Sequence, residues 1–489
     1  MTGVADQVRS ACDEAGALLA GQPEERQVRE IRDTLDGPLR VAIAGRVKAG
    51  KSTLLNALVG ERLAPTDAGE CTRLVTVYHE ALGYEVIAVN ASGTSTALAF
   101  ERGDRALRVD LGSSPADSIE RLEVGWPSAA LRQMTLIDTP GLASIDASTS
   151  RRTHAFLTPE DGGPVRADAV IYLMRHVHRS DADFLDAFLD RSVGDVSPVN
   201  AVGVLSRADE IGSCRLDAME SAARIAARLR SDSNLRSLCS SVIPVAGLLA
   251  ETGQTLRESE AASLRSLASL PGDRLESLLL SVDRFCDPTI AEMPVETRRA
   301  LVDRLGMFGL RLTLVELSSG RLSSGPELAA LLVRVSGLAE LRSLVNRHFL
   351  PRARILRSRS ALSGLHTVAR AVAVRDSELA KSIEARTERV AAGAHEFAEL
   401  RLAHLVLTGA VRLSEEERAE IERLTADASP ASRAGLAEGG DAASIRKVAM
   451  AAIERWRVRA EDPLTDPVLA DVCAVAAHSY ERLYQAAVS

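Results

Sequence analysis

Residues 43–60, IAGRVKAGKSTLLNALVG, run from a buried apolar strand through a glycine-bracketed turn into a helix. Gly45, Gly50, Lys51 and Ser52 match G-x-x-x-x-G-K-[ST], and Thr53 follows in the same binding set. Glycines in such a turn let backbone N–H groups wrap phosphate oxygens. The lysine reaches the β- and γ-oxygens, and the serine hydroxyl joins a magnesium shell. A strand–turn–helix of this kind predicts a nucleotide-binding loop in an α/β domain.

Further along, TLIDTPGLAS (135–144) ends an apolar strand in Asp138, where a carboxylate holds magnesium through water. Gly141 then offers a backbone N–H to the γ-phosphate. The pairing of DTPG with a phosphate loop points to GTP rather than ATP. SRAD (206–209) supplies the base reader: Asp209 accepts from the guanine N1–H and exocyclic amine, donors that adenine lacks. Arg207 stands where a lysine usually lies along the base and offers a planar group to stack. Ser206 departs from the usual Asn or Thr. In VIPVAG (242–247), Ala246 is the candidate for a backbone contact to the guanine oxygen.

A switch threonine is sought in PTDAGECTRLVTVY (65–78), which offers Thr66, Thr72 and Thr76. Thr72, just before a strand-like run, is the choice to complete the metal shell; a strand-start residue is the bland alternative. The position after the switch glycine, where a glutamine orients water in Ras-like enzymes, is Leu142. Charge to stabilise the transition state has to come from elsewhere. Lys48 inside the phosphate loop is one candidate, a group delivered by a second such domain is another, and a solvated loop charge is the plain reading of Lys48.

Composition sets bounds on the rest. At 489 residues two or three domains are expected. Aromatics are 3% of the chain, so the apolar content is Ala, Leu and Val, which favours helices. A formal charge of −8 argues against a nucleic-acid binder. Six scattered cysteines without a CxxC pair suit a reducing cytoplasm rather than a disulfide framework or zinc site. The charged N-terminus is unlike a signal peptide, and no apolar run approaches the roughly 18 to 20 residues that span a bilayer.

Three regions follow from periodicity. Residues 1–37 read as an amphipathic helix packing with a helical bundle. Residues 38–295 alternate short apolar runs with helices, as in a mostly parallel, doubly wound sheet; Gly83 marks a hairpin between edge strands. Residues 296–489 read as an elongated helical stalk. Leu365, Val372, Leu379, Ile383, Val390 and Phe397 suggest one helix over 357–405, on the order of 70 Å long. Ser414 with Glu417 predicts a capping box, and Asp466 with Pro467 opens the last helix. Residues 428–444 read as a long mobile loop.

The phrases AGRVKAGKSTLLNALVG, APTDAGECTRLVT, SRADEIG and DRLGMFGLRL (303–312), with a helix before the nucleotide domain and a stalk behind it, resemble bacterial dynamin-like GTPases. They are most similar to the isoniazid-inducible dynamin-like proteins of mycobacteria, and to the shorter, second member of that pair. The resemblance implies GTP/GDP and Mg2+ as ligands, dimerisation through nucleotide domains and a companion dynamin-like protein. It also implies membrane remodelling or repair at the inner membrane under envelope stress, from the cytoplasmic side. Dynamins more generally carry Gln-Ser where this chain has Val47 and Lys48, which puts cation-dependent catalysis in doubt. For contact with an anionic membrane surface, the apolar turn LAHLVLTGAVRLS (402–414) is one candidate tip. The arginine run from Arg342 to Arg375 is another, with a hinge or a solvated face as its alternatives. Other readings are a ribosome-assembly or tRNA-modification GTPase, which would need an RNA-binding module not seen here, and a catalytically weak structural partner of an active companion.

Overall fold

The computed structural model describes residues 3–65, 74–90, 93–103, 107–111, 118–141, 156, 166–175, 179–188, 200–289 and 293–488. Its strands are β1 (Leu39–Gly45), β2 (Val75–Glu80), β3 (Glu85–Asn90), β4 (Ser95–Ala97), β5 (Ala99–Arg102), β6 (Leu107–Asp110), β7 (Ile119–Trp126), β8 (Met134–Asp138), β9 (Ala169–Met174), β10 (Ala201–Ser206) and β11 (Val242–Val245). One nine-stranded sheet has the order β11-β10-β9-β1-β8-β2-β7-β3-β4, and β5 pairs with β6 apart from it. The five apolar runs read as buried strands are β1, β8, β9, β10 and β11, all mutually parallel.

Both faces of this parallel half are covered, which is why its strands are mostly apolar, with Arg40, Thr135, Asp138 and Ser206 as the polar positions. Leu39, Val41 and Ile43 of β1 join Leu136, Ile171 and Leu173 in one core. Ala42 and Ala44 join Ile137, Val170 and Tyr172 in the other. The chain leaves β1 at the centre and returns on both sides of it, as β8 and β9. That is a topological switch point, where the carboxyl ends of strands open a crevice for ligands.

The turn at Gly83 does not make a simple hairpin. β7 is inserted between β2 and β3, parallel to the first and antiparallel to the second, so β2 lies inside the sheet. The nucleotide domain also extends beyond the expected boundary at 295. Helices Glu258–Ala268, Val295–Ser318 and Gly325–Val335 share a core with Ala246 and Leu249 beside the sheet. Leu338, Leu341, Leu344 and Phe349 belong to the first sheet core.

The N-terminal segment does pack with the helical bundle, but as two helices, Val4–Leu18 and Pro23–Asp33, parted at Gly21 with φ +76. They share a core with Ala353–Ala373 and Ser377–Gly393. The single helix expected over 357–405 is thus three. It turns back at Val374–Asp376, where Asp376 caps the second helix by accepting from Leu379 N at 3.0 Å, and breaks again before His395–Leu407. The stripe looked continuous because both arms of the hairpin face one core.

Helices His395–Leu407, Glu415–Leu424, Ala442–Glu461 and Pro467–Ala486 form a second bundle around Trp456 and Tyr480. The expected caps at Ser414/Glu417 and Asp466 are present. The stretch 428–444 is not a plain loop: it contains helix Pro430–Arg433, with Ala431 and Ala434 buried. Nor is 402–414 a free tip. Leu402, Val406 and Val411 are buried, and Leu407 and Thr408 line a cleft with Leu229, Arg236 and Cys239 of the nucleotide domain.

Half of the arginine run lies inside the molecule, on carbonyl and hydroxyl acceptors rather than the nucleotide-domain acids a hinge reading called for, while Arg347, Arg354, Arg370 and Arg375 are exposed. Arg342 donates to Ala57 O and Leu58 O, closing the far end of the helix that starts at Lys51. Arg357 donates to Gly37 O, and buried Arg352 reaches Thr425 Oγ1 at 2.8 Å. Arg375 pairs with Glu24. Among the described residues, no helix is long and apolar enough to cross a membrane.

Candidate nucleotide site

The carboxyl ends of β1, β8, β10 and β11 bring the predicted motifs to one edge of the sheet. After β1, the chain turns through Gly45, whose φ of +141 and close neighbour exclude a side chain: a Cβ there would stand 2.4 Å from Leu173 O. Gly50, at φ +93, opens helix Lys51–Val59.

Lys51 is buried and its ammonium donates to Gly45 O and Arg46 O, each at 3.1 Å. Burial lowers its pKa to about 8, against an opposing pull from Asp138. Ser52 Oγ donates to Asp138 Oδ2 at 2.7 Å, while Asp138 Oδ1 is buried with no partner among the described residues. Burial drives the Asp138 carboxyl upward, partly offset by Lys51 and by Ser52. Hard oxygen donors with one oxygen left orphaned fit a magnesium ion, which Ser52 and, through water, Asp138 would hold. Gly141 lies against the phosphate loop, where a Cβ would come within 2.5 Å of Val47 Cγ2. Thr72 and Thr66 lie outside the described residues, as does Leu142.

Beside the phosphate loop is a cleft at the carboxyl ends of β10 and β11. Its lining includes Gly50, Thr53, Ser206, Arg207, Asp209 and Gly247. Asp209 is 5% exposed, and burial pushes its pKa up to about 6. A buried carboxylate held this far above its ordinary value is paired best by a ligand that brings two N–H donors, as guanine does. Ser206 is engaged elsewhere, its hydroxyl donating to Met174 O at 3.3 Å and so tying β10 to β9. Arg207, at φ +51, donates through Nε to Lys48 O and through Nη1 to Glu210. The base motif and the phosphate loop are thereby joined. The Ala246 N–H, the candidate for the guanine oxygen, donates to Ser336 O at 2.9 Å, and the adjacent Gly247 lines the cleft. Lys48 is exposed, with φ +61.

Sequence reading missed Asn56, at the buried face of the helix from Lys51. Its Oδ1 accepts from Leu63 N and Ala64 N, fixing the chain ahead of the threonine-bearing segment. An asparagine among the leucines of LLNAL was the available signal.

Protonation sets a pH window for such a site. With Asp209 as base acceptor, guanine recognition would need it ionised and affinity would fall as pH drops through about 6. With Lys51 on the phosphates, binding would need it charged and would fall as pH rises through about 8. For the free protein the Asp209 sign is opposite. A raised carboxyl pKa means the fold binds its proton more tightly than the unfolded chain does, so this group's contribution to stability declines as pH rises toward 6. The expected result is a bell-shaped kcat/KM for GTP, with limbs near those two values, while apparent stability without nucleotide does not follow the bell. A flat profile between pH 5 and 9 would exclude both assignments.

Comparison with known proteins agrees with this geometry. Residues 41–192 match the sequence model of the Dynamin family. The isoniazid-induced protein IniC of Mycobacterium tuberculosis is 37% identical over 490 aligned residues, covering 98% of this chain and 98% of IniC. The isoniazid-induced protein IniA of the same organism is 31% identical over 155 residues, or 30% of this chain and 24% of IniA. A bacterial dynamin-like protein of Nostoc punctiforme is 28% identical over 138 residues, or 25% of this chain and 20% of the relative. With similarity sustained from end to end, over the phosphate loop, the base motif and both helical bundles, the chain belongs to the IniC family of bacterial dynamin-like GTPases.

Proposed function

We propose that this protein hydrolyses GTP with magnesium and couples the cycle to pairing of nucleotide domains and remodelling or repair of the inner membrane under envelope or drug stress. The observation that carries the hydrolytic part is the single sheet edge that holds Lys51, the Ser52–Asp138 pair and buried Asp209. Lys51 binds phosphate, the Ser52–Asp138 pair holds the metal, and Asp209, in the adjoining cleft, reads the base. The proposed membrane work, peripheral association with the cytoplasmic face and companion dynamin-like protein draw their support from membership of the family alone.

Lys48 is the group we assign to transition-state charge. A residue bearing a side chain is held at φ +61 in the phosphate loop, where glycine would be free of strain. Its exposed ammonium is poised to move onto the β–γ bridge once phosphates fill the loop or a second nucleotide domain covers them. Thr72 remains our choice for the metal shell. The weak-partner reading draws on one observation: Gly141 and Lys51 are both engaged with the phosphate loop itself, and a companion would be needed to release them.

GTP turnover by wild type and Lys48→Ala, with and without vesicles containing anionic lipid, tests this. Wild type should hydrolyse GTP and respond to vesicles. Lys48→Ala should keep its GTP affinity and lose roughly 10²-fold in turnover, the scale of a removed transition-state donor. Unimpaired turnover in Lys48→Ala would end the assignment. Binding without turnover in wild type would favour the structural-partner reading.

A further inference from the structure

The loop that carries Asp209 continues into a strained turn. Gly212, Ser213 and Cys214 all have left-handed backbone, with φ of +63, +62 and +59. Two of the three carry a β-carbon, for which this region is unfavourable, so the turn persists only where its surroundings over-determine it. The restraint is Arg311. Its Nη1 donates to Ser213 O at 2.9 Å and to Cys214 O at 2.8 Å. Its Nε and Nη2 donate to Leu279 O at 3.1 and 2.9 Å, just past helix Gly272–Leu278. One planar fork therefore staples the turn to a separate helix.

Arg311 lies on Val295–Ser318, and that helix is broken at Gly306, with φ +62 and ψ −179. The break is set against the base reader itself. A Cβ on Gly306 would lie 3.6 Å from Asp209 Oδ2 and 3.6 Å from Leu248 Cδ1, and Leu248 lines the base cleft. The break is anchored from the nucleotide domain as well: Thr252 Oγ1 donates to Arg304 O, a carbonyl whose helical partner would come from beyond the break. Asp209 is thus backed by Gly306, and its loop is pinned by Arg311 five residues further on.

We infer that Arg311, acting with the break at Gly306, is a positioning residue for guanine recognition: it holds the Asp209 loop so that the carboxylate meets the exocyclic amine of the base. The inference rests on the reading of Asp209 as the guanine acceptor. It assigns base selectivity to a helix well outside residues 41–192, the part matched to the Dynamin family.

The test uses the full chain and compares binding of GDP, of IDP, which lacks only the exocyclic amine, and of inorganic pyrophosphate. Wild type should prefer GDP to IDP by about tenfold or more, one charge-assisted hydrogen bond. In Arg311→Gln the GDP-to-IDP ratio should fall at least threefold toward that of Asp209→Asn, with pyrophosphate affinity unchanged. Arg311→Lys, which keeps the charge but cannot grip both sides, should fall between them and serves if the glutamine variant does not fold. An unchanged ratio, or equal weakening of all three ligands, would show a merely structural arginine and overturn the inference. No GDP preference in wild type would instead refute the reading of Asp209, and the inference with it.

Discussion

Lys51→Ala binds GTP roughly 10²- to 10³-fold more weakly than wild type and shows no measurable turnover, while its melting temperature without nucleotide stays close to wild type: this is the expected result. The binding loss follows from removing one partner of a buried, hydrogen-bonded charge pair, which costs about 2–5 kcal/mol. Retained stability follows from the free state. There, among the described residues, the Lys51 ammonium has the carbonyls of Gly45 and Arg46 as its direct acceptors. Its pKa lies below the ordinary lysine value because burial outweighs the attraction of Asp138. The charge is therefore a burden on the free fold and an asset only when phosphates arrive. Isothermal titration with GTP and a thermal melt, made on the same preparation, separate the two effects. A large fall in melting temperature with nearly unaltered GTP affinity would mean that Lys51 is structural and that phosphates bind elsewhere.

This split between a legible site and a less legible scaffold runs through the molecule. Strands β1, β8, β9, β10 and β11 could be read because a parallel strand covered on both faces has few polar positions to confuse the pattern. The nucleotide motifs could be read because each sits where such a strand ends. The pairing of β2, β3 and β7 could not: alternation tells which residues face a core, not that a third strand enters between two neighbours in sequence. The stalk misled for a related reason. Leu365 and Val372 on one helix, and Ile383 and Val390 on the next, occupy the same core, so their spacing hides the reversal at Val374–Asp376. The cap Asp376 was the local signal of a new helix, and Gly21 with Pro23 was the corresponding signal near the N-terminus. Arg311 and Arg342 carried no such signal, because an arginine that binds distant carbonyls looks like any surface arginine.

Asp209→Asn carries the other large effect, an inversion of base preference. A carboxylate presents two acceptors, matched to the N1–H and exocyclic amine of guanine. A carboxamide presents one acceptor and one donor, matched to xanthine, which has a carbonyl in place of that amine. Asp209 is 5% exposed, so a mismatch there cannot be relieved by water, and each lost bond to a charged group costs about 1.5–3 kcal/mol. GTP affinity should fall by roughly 10²- to 10³-fold and XTP should become the better ligand. The fold should tolerate the change, since burial already disfavours the ionised carboxyl in the free protein. The result also bears on the two departures of the SRAD motif. Ser206 spends its hydroxyl on Met174 O and Arg207 is tied to Lys48 O, so neither is required to read the base edge. If that is right, one atom exchanged at position 209 suffices to switch the ligand. Loss of GTP binding without any gain for XTP would place the base in another orientation, with Arg207 rather than Asp209 as its main contact.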